Sequence, residues 1–344
     1  MRFIFIKQSA IITVLIMLFS LDSPAQDIQF SQFYAAALYQ NPAFAGTTHN
    51  VRAILHQRIQ WPKLNSKYMT SLLSVDKYFA NARSGAGLMF IKDYQGGTNI
   101  SSTEIGAMYS YEIYLNSRYT FRPGLQLNYV TRYVNYADAR FPHGHNDDGF
   151  QGNYIDYGNS RVHFADVSTG GIFYSDKLWI GFSAHHINTP NQSVFGEVTD
   201  LPAKFAFTGG YKFLLSNSGF KTTYDQKEVS ITPTAHYKFQ GKADQLDIGI
   251  YGVYDQLKAG FWYRGIPVKK LKQDLHNNES LIFLVGWKYQ SYAISYSYDF
   301  GISKLATIRT GGAHEINLTI IPKPSHKKHK PMRRLPCPRF RDTD

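Results

Sequence analysis

Residues 291–300 read Ser291-Tyr292-Ala293-Ile294-Ser295-Tyr296-Ser297-Tyr298-Asp299-Phe300. Tyr292, Ile294, Tyr296, Tyr298 and Phe300 fall on one side of an extended chain, and Ser291, Ala293, Ser295, Ser297 and Asp299 on the other. Successive strand side chains point to opposite faces, so this is a ribbon with one aromatic side and one small, polar side. Residues 102–116 repeat it: Ile105, Ala107, Tyr109, Tyr111, Ile113 and Leu115 oppose Glu104, Gly106, Met108, Ser110 and Glu112. In 119–136, Leu125, Leu127, Tyr129 and Tyr133 oppose Gln126, Asn128 and Arg132; in 257–264, Leu257, Ala259, Phe261 and Tyr263 oppose Lys258, Gly260, Trp262 and Arg264. Charged residues in mid-strand are costly against lipid and acceptable against a watery lumen, which makes Glu104, Glu112, Arg132, Lys258 and Arg264 candidate lumen-facing groups.

The alternation predicts about 14 strands, near 51–60, 67–76, 85–92, 102–116, 119–136, 165–175, 177–187, 203–214, 229–239, 245–254, 257–264, 280–289, 291–300 and 311–320. Tight turns fall at 116–118, 175–177, 255–256 and 290–291, all on one side of this ladder; longer links at 93–101, 137–164, 188–202, 265–279 and 301–310 fall on the other. Links 77–84 and 215–228 are longer than the rule prefers. Short periplasmic turns and long outer loops characterise outer-membrane barrels, whereas a soluble β-sandwich has no reason to sort its loops. The expectation is an all-β, transmembrane antiparallel barrel over 51–321, with both ends of the wall in the periplasm.

The ends of the chain agree with export. Arg2 and Lys7 precede an apolar run from Ala10 to Leu21, and Ser23 and Ala25 put small residues at a cleavage position. Residues 1–25 therefore read as a signal peptide cleaved after Ala25, too short and too soon broken by Asp22 and Pro24 to span a bilayer. Residues 322–344 hold eight Lys and Arg against two Asp, half of the net charge of +12. Lys327, Lys328, Lys330, Arg333, Arg334 and Arg339 make this end a basic tail, either an arm for an acidic partner or a solvated end. In an exported chain the basic balance is not a nucleic-acid signal. Cys337 is the single cysteine and excludes an intrachain disulfide.

Residues 26–50 do not alternate. Phe30, Phe33, Tyr34, Ala37 and Leu38 follow helical spacing, and Asn41-Pro42 ends the pattern. Ahead of a barrel such a segment is a candidate lumen plug, with a helix at the barrel rim as the alternative. Asn41-Pro42-Ala43 resembles the hatch motif of fatty-acid-transporter-like barrels, which also have fourteen strands.

Little points to reaction chemistry. His143-Gly144-His145-Asn146-Asp147-Asp148-Gly149 offers ligand types without the spacing of a known metal motif. His185 and His186, adjacent on a strand, are expected on opposite faces. Ser183, His185 and Asp247 lack a nucleophile-elbow pattern, and Gly96-Gly97 lacks the lysine and helix of a phosphate loop. The expectation is a protein that is not an enzyme and needs no cofactor or metal.

Ordered blocks along the mature chain carry a resemblance. They are Asp27-Ile28-Gln29-Phe30-Ser31-Gln32-Phe33-Tyr34, Asn41-Pro42-Ala43-Phe44-Ala45-Gly46, Arg58-Ile59-Gln60-Trp61-Pro62, and His185-His186-Ile187-Asn188-Thr189-Pro190-Asn191-Gln192-Ser193. Asp244-Gln245-Leu246-Asp247, Gly260-Phe261-Trp262-Tyr263-Arg264, Tyr296-Ser297-Tyr298-Asp299, Gly311-Gly312-Ala313-His314-Glu315-Ile316 and Cys337-Pro338-Arg339-Phe340 follow. Together they resemble the PorP/SprF family, outer-membrane components of type IX secretion and gliding motility. The chain departs from the family at Ala35-Ala36-Ala37-Leu38, where a second Asn-Pro is frequent. The resemblance implies a barrel in outer-membrane lipid that supports secretion or surface retention of cargo adhesins and docks onto periplasmic machinery. The alternative drawn from architecture is a passive transporter of small or hydrophobic solutes.

Overall fold

The computed structural model describes residues 27–48, 50–64, 66–96, 99–134, 160–194, 198–215, 229–272, 275–303, 310–322 and 335–336. The strands are β1 (Arg52–Gln60), β2 (Tyr68–Phe79), β3 (Ser84–Gln95), β4 (Ile100–Tyr111), β5 (Ile113–Tyr114), β6 (Thr120–Val134), β7 (Ser160–Tyr174) and β8 (Leu178–His185). They continue with β9 (Lys204–Tyr211), β10 (Phe213–Leu214), β11 (Val229–Gln240), β12 (Ala243–Tyr254), β13 (Leu257–Lys272), β14 (Leu275–Tyr289), β15 (Tyr292–Gly301) and β16 (Ala313–Ile320). Two-residue β5 and β10 prolong β4 and β9, so the wall has fourteen strands. Every pairing is antiparallel, β1 pairs with β16, and β9 pairs with β11, which closes the ring. Closure satisfies the backbone without an open edge, the condition for crossing a bilayer with strands.

Side-chain burial is inverted relative to a soluble domain. Leu55, Leu88, Ile105, Leu125, Leu127, Phe207, Phe283 and Ile294 are exposed on the outward face, while Arg58, Glu112, Arg122, Arg264 and Glu315 are buried on the inward one. In β15 the aromatic face points out and Ala293, Ser295, Ser297 and Asp299 point in. The inner wall becomes apolar locally, at Leu72, Met89, Ile91, Met108 and Ile172.

Both ends of the wall, Arg52 and Ile320, lie at one mouth, here termed proximal; the opposite mouth is distal. The tight turns at 116–118, 175–177, 255–256 and 290–291 all lie at the proximal mouth. Four details differ from the sequence reading. Strand β7 begins at Ser160, so the last five residues of the expected link 137–164 are strand. Strands β2 and β3 run on to Phe79 and Ser84, which shortens the link 77–84 to residues 80–83. Gly241 and Lys242 form a tight turn at the distal mouth. The expected loop 265–279 is mostly strand: β13 and β14 continue past the wall as a ribbon, with register shifts at Gly265 and between Ile266 and Lys270 that break the alternation.

Candidate functional site in the barrel lumen

Residues 27–48 lie inside the ring. Their helical content is small: α1 covers Ala37–Gln40, and a 3₁₀ turn covers Pro42–Phe44. The apolar spacing of Phe30, Phe33, Tyr34, Ala37 and Leu38 instead serves two patches of wall. Phe30, Leu38, Ala43 and Phe44 join Leu72, Met89, Ile91, Met108 and Ile172; Phe33, Tyr34 and Ala35 join Tyr251, Trp262, Ile282 and Leu284. Phe33 stacks on His236 at 5.0 Å and meets Trp262 edge-on at 4.7 Å. Tyr34 meets Tyr251 edge-on at 4.9 Å, with the Lys258 ammonium 3.3 Å from its ring centroid. Burying each such aromatic contributes about 1.5–3 kcal/mol.

The polar contacts follow the segment in chain order. Asp27, toward the distal mouth, accepts from Lys204 Nζ at 2.6 Å, His186 Nε2 at 2.7 Å and Gln240 Nε2 at 3.2 Å. His186 Nδ1 reaches Asp166 at 2.9 Å. With a carboxylate on each ring nitrogen, His186 is the doubly protonated imidazolium. It lies past the end of β8 with φ +57°, a left-handed backbone that turns it inward beside His185, their centroids 6.2 Å apart. The expected placement on opposite faces is thereby corrected: His186 has left the strand. Burial pulls its pKa down, yet Asp27 and Asp166 raise it to about 9.

Deeper in, Glu315 is fully buried and receives four donors. Backbone N–H groups of Ser31 and Gln32 donate to it at 2.6 and 2.9 Å, His56 Nε2 lies at 3.1 Å, and Arg58 completes the set. Arg58 also bonds Asp299 at 3.0 Å and Ser31 Oγ at 3.0 Å. Arg264 bonds Asp247 at 3.0 Å, Asp299 at 3.3 Å and Ser31 Oγ at 3.0 Å. The segment thus sits on a network contributed by β1, β12, β13, β15 and β16.

Asn41 is almost wholly buried. Its Oδ1 accepts from the Ala43 N–H at 2.9 Å, capping the 3₁₀ turn, and its Nδ2 donates to the Phe182 carbonyl at 2.8 Å. Toward the proximal mouth, Ser110 Oγ donates to Ala45 O at 2.8 Å, Arg122 donates to Gly46 O at 3.0 Å, and the Gly46 N–H donates to Asp76 at 2.8 Å. Asp76 also binds Arg52, the first residue of β1, at 2.8 Å. Backbone meets backbone here: a Cβ on Gly85 would lie 2.1 Å from Ala45 O, and one on Gly124 would lie 2.4 Å from Ala43 N. Gly85→Val and Gly124→Val are therefore expected to lift residues 43–46 off the wall. A cost of about 2 kcal/mol corresponds to a roughly 30-fold rise in the released population. Limited proteolysis of the detergent-solubilised protein reads this as faster trimming before residue 50, with heat-modifiable migration of the wall unchanged.

Of the remaining candidates, Glu112 accepts from Tyr174 at 2.9 Å and from Tyr78, and Arg132 donates to Gln192 at 2.5 Å. Glu104 is half-buried near the distal end of β4. Ser183 and His185 both donate to the Gln40 carbonyl, at 2.9 and 3.1 Å, whereas Asp247 is committed to Arg264. Between the segment and the wall, a cavity of about 40 Å³ is bordered by Phe30, Phe33, Tyr39, His185, His236 and Lys238. That is room for one or two waters. The tail positions Lys327, Lys328, Lys330, Arg333, Arg334 and Arg339, Cys337, and the 143–149 loop lie outside the described residues. Leu335 and Pro336 are described and buried, Leu335 in the cluster that holds Tyr174 and Trp179.

Sequence reasoning missed Asp27, Ser31, Gln32, Arg58, His186, Lys204, Asp299 and Glu315 as one site. The available signal was that most of them fall in the family blocks.

Among solved structures, the chain is similar to a Pseudomonas aeruginosa FadL homologue (11% identity, 79% of this chain and 88% of the other, TM-score 0.40). It is also similar to the CymD monoaromatic hydrocarbon channel (11%, 84% and 93%, TM-score 0.45). A third is the P. putida toluene transporter TodX (10%, 83% and 92%, TM-score 0.43). No curated protein matches the chain. The family described as "Type IX secretion system membrane protein PorP/SprF" matches residues 22–320, the whole wall and the segment inside it, and the chain belongs to that family.

Proposed function

We propose that this outer-membrane barrel works as a plugged adaptor of the type IX secretion system rather than as a solute pore. It supports secretion or surface retention of cargo adhesins and docks onto periplasmic components of the machine. The observation that carries this reading is a lumen occupied by the chain's own residues 27–48, held by apolar patches and by the buried network around Glu315. In this reading residues 1–25 are the export signal, 26–50 the plug, 51–321 the wall, and 322–344 a periplasmic arm. Phe30, Phe33, Tyr34, Asn41, Pro42 and Ala43 are the plug's contact residues, and Glu104, Glu112, Arg132, Lys258 and Arg264 are lumen groups. The fourteen-strand wall returns the chain to the proximal mouth. With short turns periplasmic, that mouth faces the periplasm and the tail emerges there. Lys327, Lys328, Lys330, Arg333, Arg334 and Arg339 then meet an acidic face of the machinery, an attraction weakened by salt.

Affinity purification through a tag in the distal connection between β6 and β7, from native outer membranes under gentle detergent, tests the reading. A large surface adhesin recovered with periplasmic secretion components is the expected result. A partnerless barrel that conducts small solutes in liposomes overturns it. Truncation from Lys323 is expected to leave the barrel assembled and to abolish recovery of the periplasmic components; unchanged recovery removes the tail from the proposal.

A further inference from the structure

The outward face is apolar nearly everywhere, with one exception visible only through the register. Gln57 on β1 pairs with Ser71 on β2, Ser71 with Lys92 on β3, and Lys92 with Thr103 on β4. Thr103 pairs with Thr131 on β6, and Thr131 with His163 on β7. Each is the fourth residue from the distal end of its strand, and each faces out. On other strands the fourth residue from the distal end of the wall also faces out and is apolar or aromatic: Phe182, Phe207, Phe261, Phe283, Tyr298 and Ile316. The stripe is therefore a property of one face, not of the rim.

Its side chains satisfy one another in pairs, as groups facing lipid must. Ser71 Oγ donates to Gln57 at 2.5 Å, Lys92 Nζ donates to Thr103 at 3.0 Å, and Tyr129 and Thr131 hydroxyls lie 2.9 and 3.0 Å from His163 Nδ1. The next outward row toward the distal mouth reads Ile59, Met69, Tyr94, Ser101, Tyr133 and Arg161, with the Arg161 guanidinium 5.5 Å from the Tyr133 ring centroid. Neither row contains a carboxylate. Lys92 and Arg161 thus give the two rows positive character.

We propose that this face is a seat for a phosphorylated glycolipid of the outer leaflet. Six strands about 4.8 Å apart make the stripe about 24 Å long, and three residues place it about 10 Å along the strand below the wall's edge. That breadth suits a multi-sugar headgroup, whose hydroxyls meet Gln57, Ser71, Thr103 and Thr131 while its phosphates meet Lys92 and Arg161; a single phospholipid headgroup covers a fraction of it. Guanidinium and ammonium groups at the depth where acyl chains give way to headgroups are matched by phosphate. The assignment requires the distal mouth to face outward, as in the functional reading above, and is independent of cargo.

Native mass spectrometry of the full-length barrel in detergent tests it, titrated with an acylated bisphosphorylated glucosamine disaccharide, its dephosphorylated form, and phosphatidylglycerol. The expected result is retention of the phosphorylated glycolipid alone. Binding falls tenfold or more in Lys92→Gln/Arg161→Gln, less in Arg161→Gln alone, and is unchanged in Lys177→Gln at a proximal turn. Heat-modifiable migration shows that each variant is folded. Equal binding by the double variant, by the dephosphorylated lipid or by phosphatidylglycerol overturns the proposal, as does a stripe that retains only an acidic protein or a second copy of the chain.

Discussion

Glu315→Ala is expected to open the lumen. In planar bilayers the variant switches frequently to a conducting state that the parent chain enters rarely, and proteases reach residues 27–36 from the distal side. The reason is local. One carboxylate holds two consecutive backbone N–H groups of the inner segment, at Ser31 and Gln32, and also neutralises Arg58. Its removal orphans two buried donors and leaves Arg58 with Asp299, which Arg264 already shares. Breaking a buried ion pair from one side costs about 3–5 kcal/mol, which moves the released population by about two to four orders of magnitude. Replacing both partners separates the anchoring of the inner segment from simple loss of charge. Arg58→Met/Glu315→Met removes the unpaired cation, so its wall is expected to be more stable than that of Glu315→Ala, while Ser31 and Gln32 remain without their acceptor and the lumen still opens. A variant that stays closed and protected despite losing Glu315 would show that the apolar patches alone retain the segment.

The wall was legible in the sequence because its information is local. Alternation along residues 291–300 needs no partner to be seen, and it marks the face that meets lipid. Reading failed where alternation is interrupted for structural reasons. Gly265, Pro267 and the bulge before Lys270 made strand look like loop, although the two backbones stay paired to Lys272 and Leu275. The inner segment was legible as something other than a strand, but its apolar spacing suggested a longer helix than the four residues that form. Phe30, Phe33, Tyr34 and Leu38 recur at helical intervals because the chain is squeezed between two apolar patches of wall and must turn to reach both. The charge network was not legible as a network, although Arg264 alone was marked as a lumen-facing charge. Ser31 and Glu315 are 284 residues apart and meet only because the ring closes β1 on β16. His186 escaped for another reason: a positive φ at a residue with a side chain leaves no mark in hydropathy, and it reverses the face on which period-two counting puts the ring.

That reversal gives the distal end of the segment a pH dependence. His186 is raised from its ordinary value to about 9, against a burial effect that alone lowers it, because Asp27 and Asp166 flank its two nitrogens. The sign follows from linkage. A histidine bound more tightly as the cation contributes its full stabilisation below about pH 6.5, and that contribution fades as pH rises toward about 9. The displacement amounts to about 3 kcal/mol at its largest, with the side chain mostly shielded from solvent. The groups facing His186 are Asp27, Asp166, Lys204 and the ring of His185; Lys204 keeps its own bond to Asp27, so deprotonation loosens the latch without releasing Asp27 outright. Hydrogen-exchange protection factors for residues 28–30, corrected for intrinsic rates, are expected to fall roughly 100-fold between pH 6 and pH 10. In His186→Asn the same residues should be less protected at pH 6 and nearly indifferent to pH across that range, since an amide carries no proton to lose. Protection that declines equally in parent and variant would assign the pH effect to other groups, and a flat profile in the parent would remove His186 from the latch. Because Glu315 acts on Ser31 and Gln32 while His186 acts on Asp27, the two substitutions report on different stretches of the segment. If residues 28–30 open at high pH while 31 and 32 stay protected, the segment detaches from its distal end inward, and release begins at the distal mouth.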